Sequence, residues 1–295
     1  MIYDVIIVGG SYSGISAGLQ LARARRQVLI IDAGRRRNRF ASHSRGFLGR
    51  DGQDPGMIGS DAQAQLLAYP TAHWDSQPVT RASTSDAGLM VTVENGEQFT
   101  ARRLVLATGV VDELPENPGL LERWGRRVFH CPYCHGYELD GGPIGVLATS
   151  PLAIHHALML PDWGPTIFLL NGLFEPDADQ MGRLARRGVT VIAEPVLSLG
   201  GEHADVTLCS AKVIKLAGLF TQPRTHMSSP LGAQLGCEFE VGPTGDFIKV
   251  DGMREASVRG VFACGDAALG AGNVATAVGD GALTRVAAHQ SLIFR

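Results

Sequence analysis

A chain of 295 residues is long enough for two domains of ordinary size, each with its own buried core. A hydrophobic content of 45% and a formal net charge of −3 are typical of a soluble globular protein and give no reason to expect nucleic acid or a membrane as a partner. Five cysteines without framework spacing argue against a secreted disulfide scaffold, and the chain opens on an apolar strand rather than a leader, so we expect a cytoplasmic protein.

Short apolar segments alternate with amphipathic ones, which predicts layered α/β domains. The first part opens with a strand at Asp4–Val8, a helix over about 12–24 and a strand at Val28–Ile31 that ends at Asp32. Further on, the pattern predicts a helix near 57–67, hairpin-like segments over 89–100 and a strand over 104–107 that stops at Thr108-Gly109. This order is typical of a dinucleotide-binding fold.

A second unit begins near Glu113, after which a proline-containing linker leads into a CPYC segment. It continues with a strand at 144–147, a helix at 151–160 and a strand at 166–170. Near Gly242 the chain returns to the first unit, with strands at 247–250 and 261–263 and a last helix from about Asn273. We therefore predict two Rossmann-like, three-layer α/β domains, with residues 113–241 inserted into a split domain of residues 1–112 and 242–295.

The turn after the first strand carries a dinucleotide fingerprint. Its three glycine places hold Gly9, Ser11 and Gly14, and Asp32 ends the next strand, where a carboxylate can bind a ribose hydroxyl. The helix N-terminus would offer N–H groups to the phosphates. The alternative is a tight turn with a capping serine, which the succession of strand, turn, helix, strand and acid disfavours. Of the arginines at 35, 36, 37 and 39, most are expected on the solvated surface and one beside the nucleotide.

The hexapeptide His130-Cys131-Pro132-Tyr133-Cys134-His135 predicts a redox centre. Two cysteines with two residues between them can close a disulfide, and this spacing lowers one thiol pKa into the reactive range. His135 is then a candidate acid–base group. Three alternatives stay open: a c-type haem attachment site, a zinc site completed by His130 and His135, and a pair of buried free thiols. Cys209 and Cys237 are interpreted as buried small side chains and Cys264 as a packed one.

These motifs together resemble the low-molecular-weight thioredoxin reductase family over nearly the whole chain. They occur in that family's order: GGSYSG from Gly9, LATG from Leu106, the central CxxC, AGLF from Ala217 and GVFACGD from Gly260. CPYCHGYE (Cys131 to Glu138) and HSRGFL (His43 to Leu48) look most like the family's dithiol oxidases, which close disulfides in small sulfur metabolites such as gliotoxin and holomycin. Thioredoxin reductases proper usually carry Asp where this chain has His135.

The resemblance implies FAD as the cofactor and a homodimer as the assembly. It implies that Cys134 faces the flavin, that Cys131 exchanges with substrate, and that His135 is the acid–base residue. Asp266 is expected at the ribityl or phosphate region, and Asn273, Val274 and Thr276 near the flavin ring. The cofactor-binding residues predicted in total are Gly9, Ser11, Tyr12, Ser13, Gly14, Asp32, Ala33, Gly34, Arg39, Thr108, Gly109, Gly265, Asp266, Asn273, Val274 and Thr276.

The inserted domain departs from the family pattern at its own glycine fingerprint. The first two glycines are replaced by Ala148 and Ser150, and Asn171-Gly172-Leu173-Phe174-Glu175 stands where residues that bind the NADPH 2′-phosphate are expected. A β-carbon at either glycine position strains the turn or crowds the pyrophosphate, which argues against NADPH binding. The favoured function is an NADPH-independent oxidase of a small dithiol. The alternatives are a thioredoxin reductase that uses NADPH or a donor such as ferredoxin, with a thioredoxin-like protein as partner, and a flavin-binding protein without turnover.

Overall fold

The computed structural model describes residues 1–270 and 272–295. They form two compact units. The first unit comprises Met1–Arg39, Phe47–Val111 and Thr225–Arg295, and the second comprises Phe40–Gly46 and Asp112–Arg224. The predicted fold class, with one α/β domain inserted into another, is confirmed.

The strands are β1 (Ile2–Val8), β2 (Val28–Ile31), β3 (Ala72–Asp75), β4 (Val79–Ser85), β5 (Gly88–Val93), β6 (Gln98–Leu106), β7 (Val110–Glu113), β8 (Val128–Phe129), β9 (Ile144–Leu147), β10 (Thr166–Leu169), β11 (Thr190–Ile192), β12 (Val196–Gly200), β13 (Asp205–Leu208), β14 (Val213–Ile214), β15 (Gly218–Thr221), β16 (Arg224–Met227), β17 (Phe239–Val241), β18 (Asp246–Ile248) and β19 (Val261–Ala263). The α-helices are α1 (Tyr12–Arg23), α2 (Pro55–Leu67), α3 (Pro132–His135), α4 (Ala153–Met159), α5 (Ala178–Arg186), α6 (Leu231–Leu235) and α7 (Val274–Phe294). Short 3₁₀ segments lie at Leu121–Arg123, Tyr137–Leu139, Leu160–Asp162 and Gly265–Ala267.

The first unit is built on one sheet in which β3, β2, β1 and β6 run parallel in that order. The last residues of β6 also pair in parallel with β19, whereas its first residues pair antiparallel with β5, which continues to β4. Helices α1 and α7 pack together on one face through a core that includes Ile7, Leu21 and Phe262. The strand register brings Val8, Ile31, Leu106 and Ala263 to the same edge of the sheet. The loops that leave this edge therefore lie side by side.

The second unit has a five-stranded parallel sheet in the order β11, β10, β9, β15, β8. One face packs against α4 and α5 through a core that includes Val146, Phe168 and Leu184. The other face carries Leu147, Leu169 and Leu219, in a core shared with the antiparallel sheet β12–β13–β14. The second unit is thus also three-layered, although the β12–β14 sheet was missing from the sequence prediction.

The unit boundaries differ from the sequence prediction. The chain returns to the first unit at Thr225 rather than near Gly242, because Leu231 and Cys237 pack into the core beneath β4 and β5. The Gln234 side chain secures this return, since its Oε1 accepts the Ala82 N–H at 2.9 Å. The short segment Phe40–Gly46 clusters with the second unit, which no local signal predicted.

Two smaller predictions can be compared directly with the structure. The last helix was predicted to start at about Asn273; it begins at Val274, with Asn273 as its N-cap. The prediction that Cys209 is buried is wrong: this residue lies just after β13, in a turn that also holds Ala211 at a φ of +65°, and it is exposed. Among residues 1–270 and 272–295, no helix combines the length and apolarity needed to cross a bilayer.

Candidate functional site

The turn between β1 and α1 can be made only with glycine at two of its positions. Gly9 has a φ of +105°, and a β-carbon there would lie 2.2 Å from the Ala107 carbonyl oxygen. A β-carbon on Gly14 would lie 1.9 Å from the Gly9 carbonyl oxygen. Contacts this short are forbidden, so these two glycines hold α1 directly against the end of β1.

The N-terminus of α1 fits the pyrophosphate of a dinucleotide. Ser11 is the N-cap, yet its side chain makes no capping hydrogen bond, so it does not compete for the first-turn N–H groups. Asp32 follows β2, and its Oδ1 accepts the Gly10 N–H at 3.0 Å, which fixes the carboxylate beside the turn. A carboxylate held there can accept a ribose hydroxyl, and the free N–H groups with the helix dipole favour phosphate. These residues would therefore hold FAD.

The loop after β19 lies against the same turn. Gly265 has a φ of +65°, and a β-carbon there would lie 2.5 Å from Ser13 Oγ. The Gly265 N–H donates to Asp280 Oδ2 at 2.8 Å, which ties the loop to α7. Asp266 follows and forms an ion pair of 2.9 Å with Arg37. The structure thus brings the predicted residues Ser13, Gly265 and Asp266 together.

The other predicted cofactor residues occupy the same unit. Asn273 and Thr276 form a capping box at the start of α7, in which the Thr276 N–H donates to Asn273 Oδ1 at 2.9 Å and the Asn273 N–H donates to Thr276 Oγ1 at 2.7 Å. Val274 is the first residue of that helix. These bonds use the Asn273 oxygen and the Thr276 hydroxyl for capping, so what they leave free for a ligand is chiefly backbone and the Asn273 NH₂.

Of the remaining predicted positions, Tyr12 begins α1 and the others lie on loops. The Tyr12 hydroxyl donates to the Pro55 carbonyl at 3.0 Å, and Thr108 accepts the Ser228 hydroxyl at 2.6 Å. Gly34 and Gly109 both have positive φ, at +73° and +71°. Ala33 precedes Gly34 on the exposed surface after Asp32.

Sequence reasoning selected Arg39 from the arginine run, whereas the structure directs Arg37 toward Asp266. Arg39 is exposed, and its guanidinium donates to the Arg36 carbonyl at 3.0 Å. Two further residues were missed: Asp280, which accepts the Gly265 N–H, and Arg254, which pairs with Asp280. No local pattern could have found them, because their partners are distant in sequence.

The redox pair is closed in the second unit. Cys131 and Cys134 form a disulfide with their Cα atoms 5.3 Å apart. Cys131 is the N-cap of the one-turn helix α3, and the Cys134 N–H donates to the Cys131 carbonyl at 3.2 Å. Cysteines joined in this way are neither zinc thiolates nor haem thioethers, and they are not free thiols. Of the four interpretations of the motif, the structure supports the redox disulfide.

His135, which directly follows Cys134 in α3, is largely buried as a neutral imidazole. Its ring stacks on Phe129, with centroids 4.2 Å apart and an interplanar angle of 17°. Burial, aided by the positive charges of His130 and Arg45, lowers the pKa of His135 to about 4. A new negative charge beside the ring would favour its protonated form and raise this pKa.

The other three cysteines are not equivalent to this pair. Burial raises the pKa of Cys264 to about 12 and that of Cys237 to about 11, so neither is a thiolate near neutral pH. Cys264 packs within the core beneath α1 and α7, as predicted. Cys209 is exposed and lies apart from the disulfide in sequence.

His156 gives a testable pH dependence. Its side chain is buried, Nδ1 has no hydrogen-bond partner among the described residues, and burial with nearby His155 and His130 lowers its pKa from 6.5 to about 4. As the pH falls, the unfolded chain protonates this histidine near pH 6.5, whereas the folded protein does so only near pH 4. The free energy of unfolding is therefore unaffected by this group above pH 6.5 and decreases as the pH falls toward 4. At pH 5 we expect a loss of about 2 kcal/mol from this group.

Urea denaturation of wild type and His156→Leu at pH 7.5 and pH 5 checks this expectation. The variant should lose about 2 kcal/mol less than wild type between the two pH values. His226→Leu is the control, because this histidine is exposed and is not among the groups that lower the pKa of His156. Equal pH dependence in wild type and His156→Leu would show that His156 does not carry the effect.

Comparison with known proteins agrees with this geometry. Residues 3–281 match the family model described as pyridine nucleotide-disulphide oxidoreductase. The chain is 31% identical over 294 residues to thioredoxin reductase tcpT of Claviceps purpurea, covering 95% of this chain and 91% of that protein. An oxidoreductase from Agrobacterium tumefaciens has a crystal structure that is 57% identical, with a TM-score of 0.97 and coverage of 100% of this chain and 99% of that one. The crystal structure of HlmI is 35% identical, with a TM-score of 0.89 and coverage of 99% and 93%.

The closed CxxC disulfide and the fingerprint turn thus occur in a chain that matches the family along nearly its whole length. This protein belongs to the pyridine nucleotide-disulphide oxidoreductase family and is a flavin-dependent, thioredoxin reductase-like disulfide oxidoreductase.

Proposed function

We propose that this protein oxidises a small dithiol to its disulfide through Cys131 and Cys134, without NADPH. The observation that carries the proposal is the turn after β9, where the second glycine fingerprint is lost. Ala148 is buried at the strand end, and Thr149 Oγ1 donates to the Gln222 carbonyl at 2.7 Å. Helix α4 then begins only at Ala153, with Leu152 as an N-cap that has no side-chain acceptor.

The loop after β10 also suits a 2′-phosphate poorly. Asn171 has a φ of +54°, and its Oδ1 accepts the Val196 N–H at 2.8 Å, so this side chain is used to hold the loop. Residues 171–177 contain Glu175 and Asp177 and neither lysine nor arginine. Phosphate recognition in proteins relies on cationic side chains and free backbone N–H groups, and here acidic side chains stand instead.

The chemistry begins with the disulfide in its oxidised form. A substrate thiolate attacks Cys131 Sγ, the Cys131–Cys134 bond breaks, and Cys134 leaves as a thiolate. The second substrate thiol then attacks the mixed disulfide, which releases the product disulfide and a Cys131 thiolate. His135 accepts a proton as negative charge develops beside it. FAD, when bound, would supply the acceptor for the electron pair, with oxygen or another carrier as the terminal acceptor.

A specific observation keeps thioredoxin reduction as the second candidate: the relative from Claviceps purpurea is named a thioredoxin reductase. In that function the electrons would flow from NADPH, or from a donor such as ferredoxin, through Cys134 to a thioredoxin-like partner. We favour the oxidase because the altered turn after β9 offers no evident site for NADPH.

Anaerobic stopped-flow absorbance separates the two candidates. The flavoprotein is mixed in turn with dithiothreitol, NADPH and NADH, with dithionite as proof that the flavin can be reduced. We expect rapid bleaching by the dithiol and bleaching at least about a hundredfold slower by either nicotinamide, because binding of the nicotinamide is lost. Bleaching by NADPH at the dithiol rate would make thioredoxin reductase the better description.

We also propose a homodimer. Helix α7 supports this, since it carries exposed apolar side chains at Leu283, Ile293 and Phe294. Apolar groups on one helix of this kind commonly mark a contact surface. Light scattering coupled to size-exclusion chromatography should give twice the mass of the chain, and a monomer at micromolar concentration would refute the assembly.

A further inference from the structure

A cavity of about 340 Å³ lies beside the redox motif, within the second unit. One side is formed by the segment Phe40–Gly46 and the other by residues 125–139. The cavity lies at the lower end of the range for small-molecule sites. A volume of this size suits a small molecule or part of one.

The wall of this cavity is cationic. Arg45, Arg126 and Arg127 line it, against a single acidic side chain, Glu138. Arg45 and Glu138 form an ion pair of 3.1 Å with each other. The guanidinium groups of Arg126 and Arg127 make no hydrogen bond or ion pair in residues 1–270 and 272–295. Three arginines against one glutamate leave two positive charges, in a protein whose formal net charge is −3.

The cavity wall includes one residue of the redox motif, His135. His135 and Phe129, the stacked pair beside the disulfide, both line it. His135 follows Cys134 directly in α3. The influence of Arg45 on the pKa of His135 agrees with this proximity. A molecule anchored on the arginines would therefore share the cavity with His135, the residue that directly follows Cys134.

We infer that this cavity binds the carboxylate of an anionic small dithiol, with Arg126 and Arg127 as the anchoring groups. A planar guanidinium matches a carboxylate in two-point hydrogen bonding, which an unpaired arginine is ready to supply. The inference rests on the proposed oxidase function and names its substrate class. In the reaction the dithiol loses two protons and two electrons and gains one S–S bond, while the Cys131–Cys134 bond is reduced to two thiols.

The test uses two ligand pairs that differ only in charge. Lipoate and lipoamide are cyclic disulfides that cannot reduce the oxidised holoenzyme, so their binding is measured at equilibrium by calorimetry. Dihydrolipoate and dihydrolipoamide are the corresponding dithiols, and anaerobic flavin bleaching measures their reaction. We expect lipoate to bind about tenfold more tightly than lipoamide, and the preference to shrink as salt rises from 50 to 500 mM, since an ion pair with partial exposure is screened.

The double variant Arg126→Gln/Arg127→Gln should remove this preference. We expect the Kd for lipoate and the KM for dihydrolipoate to rise about tenfold, with both lipoamide values changed less than twofold. Arg186→Gln is the control, because it removes the same kind of charge from the exposed end of α5. Far-ultraviolet circular dichroism and flavin content of the double variant confirm that it is folded and loaded.

The outcomes distinguish failure of the proposed carboxylate site from failure of the proposed oxidase function. Equal binding of lipoate and lipoamide, or binding of neither, overturns the site even when both dithiols bleach the flavin. Arginine-dependent lipoate binding without bleaching by any dithiol retains the site and overturns the oxidase. An equal loss of affinity for lipoate and lipoamide in the double variant would mean that the arginines stabilise the fold rather than bind the carboxylate, which also overturns the inference.

Discussion

Replacing Cys134 with serine is expected to slow dithiol-driven bleaching of the flavin by roughly 10⁴-fold or more. The reason is that the electron pair enters through the Cys131–Cys134 disulfide, and a serine oxygen can neither form that bond nor leave from it. Cys131→Ser should lose turnover to a similar extent, because the substrate thiolate has no disulfide to attack. Anaerobic stopped-flow absorbance at the flavin band gives both rates directly.

Cys209→Ser is the matched control, since it makes the same change at an exposed cysteine outside the pair. It should leave the rate unchanged within about twofold. Thiol titration adds an independent count: the denatured, unreduced wild type should show the three free cysteines at 209, 237 and 264, and reduction should raise the count to all five. A Cys134→Ser protein that keeps a tenth of the wild-type rate would exclude the disulfide as the electron path.

The sequence was sufficient where the signal is local. The turn at Gly9, the acid at Asp32 and the CxxC pair each depend on residues close together in the chain, and the structure places all three as their spacing predicts. The start of the last helix at about Asn273 was also predicted, and the structure shows a local cause, a capping box between Asn273 and the residue three positions on. Short-range stereochemistry determines such features before any tertiary contact forms.

The features that the sequence did not predict depend on long-range contacts. Arg37 reaches Asp266 and Arg254 reaches Asp280 only after the sheet is assembled, and one arginine in a run is locally like the next. Cys209 was predicted to be buried from its residue type alone, but its turn faces solvent. The association of Phe40–Gly46 with the second unit was likewise invisible, although it forms one side of the cationic cavity.

The same contrast appears between the two fingerprints. At the first, the structure shows why glycine is required, through a β-carbon that would overlap the Ala107 carbonyl. At the second, Ala148 and Ser150 already carry β-carbons, and the Thr149 hydroxyl is bonded to the chain itself. The first unit thus has the turn geometry of a dinucleotide site. The second unit has the same kind of α/β fold without that turn and carries the redox pair. This division is the basis for the proposal of an oxidase that does not use NADPH.

Gly14→Ala is expected to abolish FAD binding and to destabilise the protein by about 3 kcal/mol. The added β-carbon would lie 1.9 Å from the Gly9 carbonyl oxygen and 3.3 Å from the Ala107 side chain, so α1 must move away from β1. That movement withdraws the first-turn N–H groups from the position where they hold the pyrophosphate. The ratio of flavin to protein absorbance after purification measures occupancy, and urea denaturation of the apoprotein measures stability without the cofactor.

Gly279→Ala separates this effect from the general consequences of replacing a helical glycine. A β-carbon built at Gly279, in the interior of α7, meets no described atom within 4 Å other than its chain neighbours and the nearby helix backbone. Alanine there should therefore be neutral or stabilise the protein by about 0.5–1 kcal/mol. Both changes raise helix propensity equally, and only the one at Gly14 meets the carbonyl of Gly9. Full flavin occupancy in Gly14→Ala would therefore show that the N-terminus of α1 does not hold the cofactor, because the overlap leaves no way to keep that turn in place.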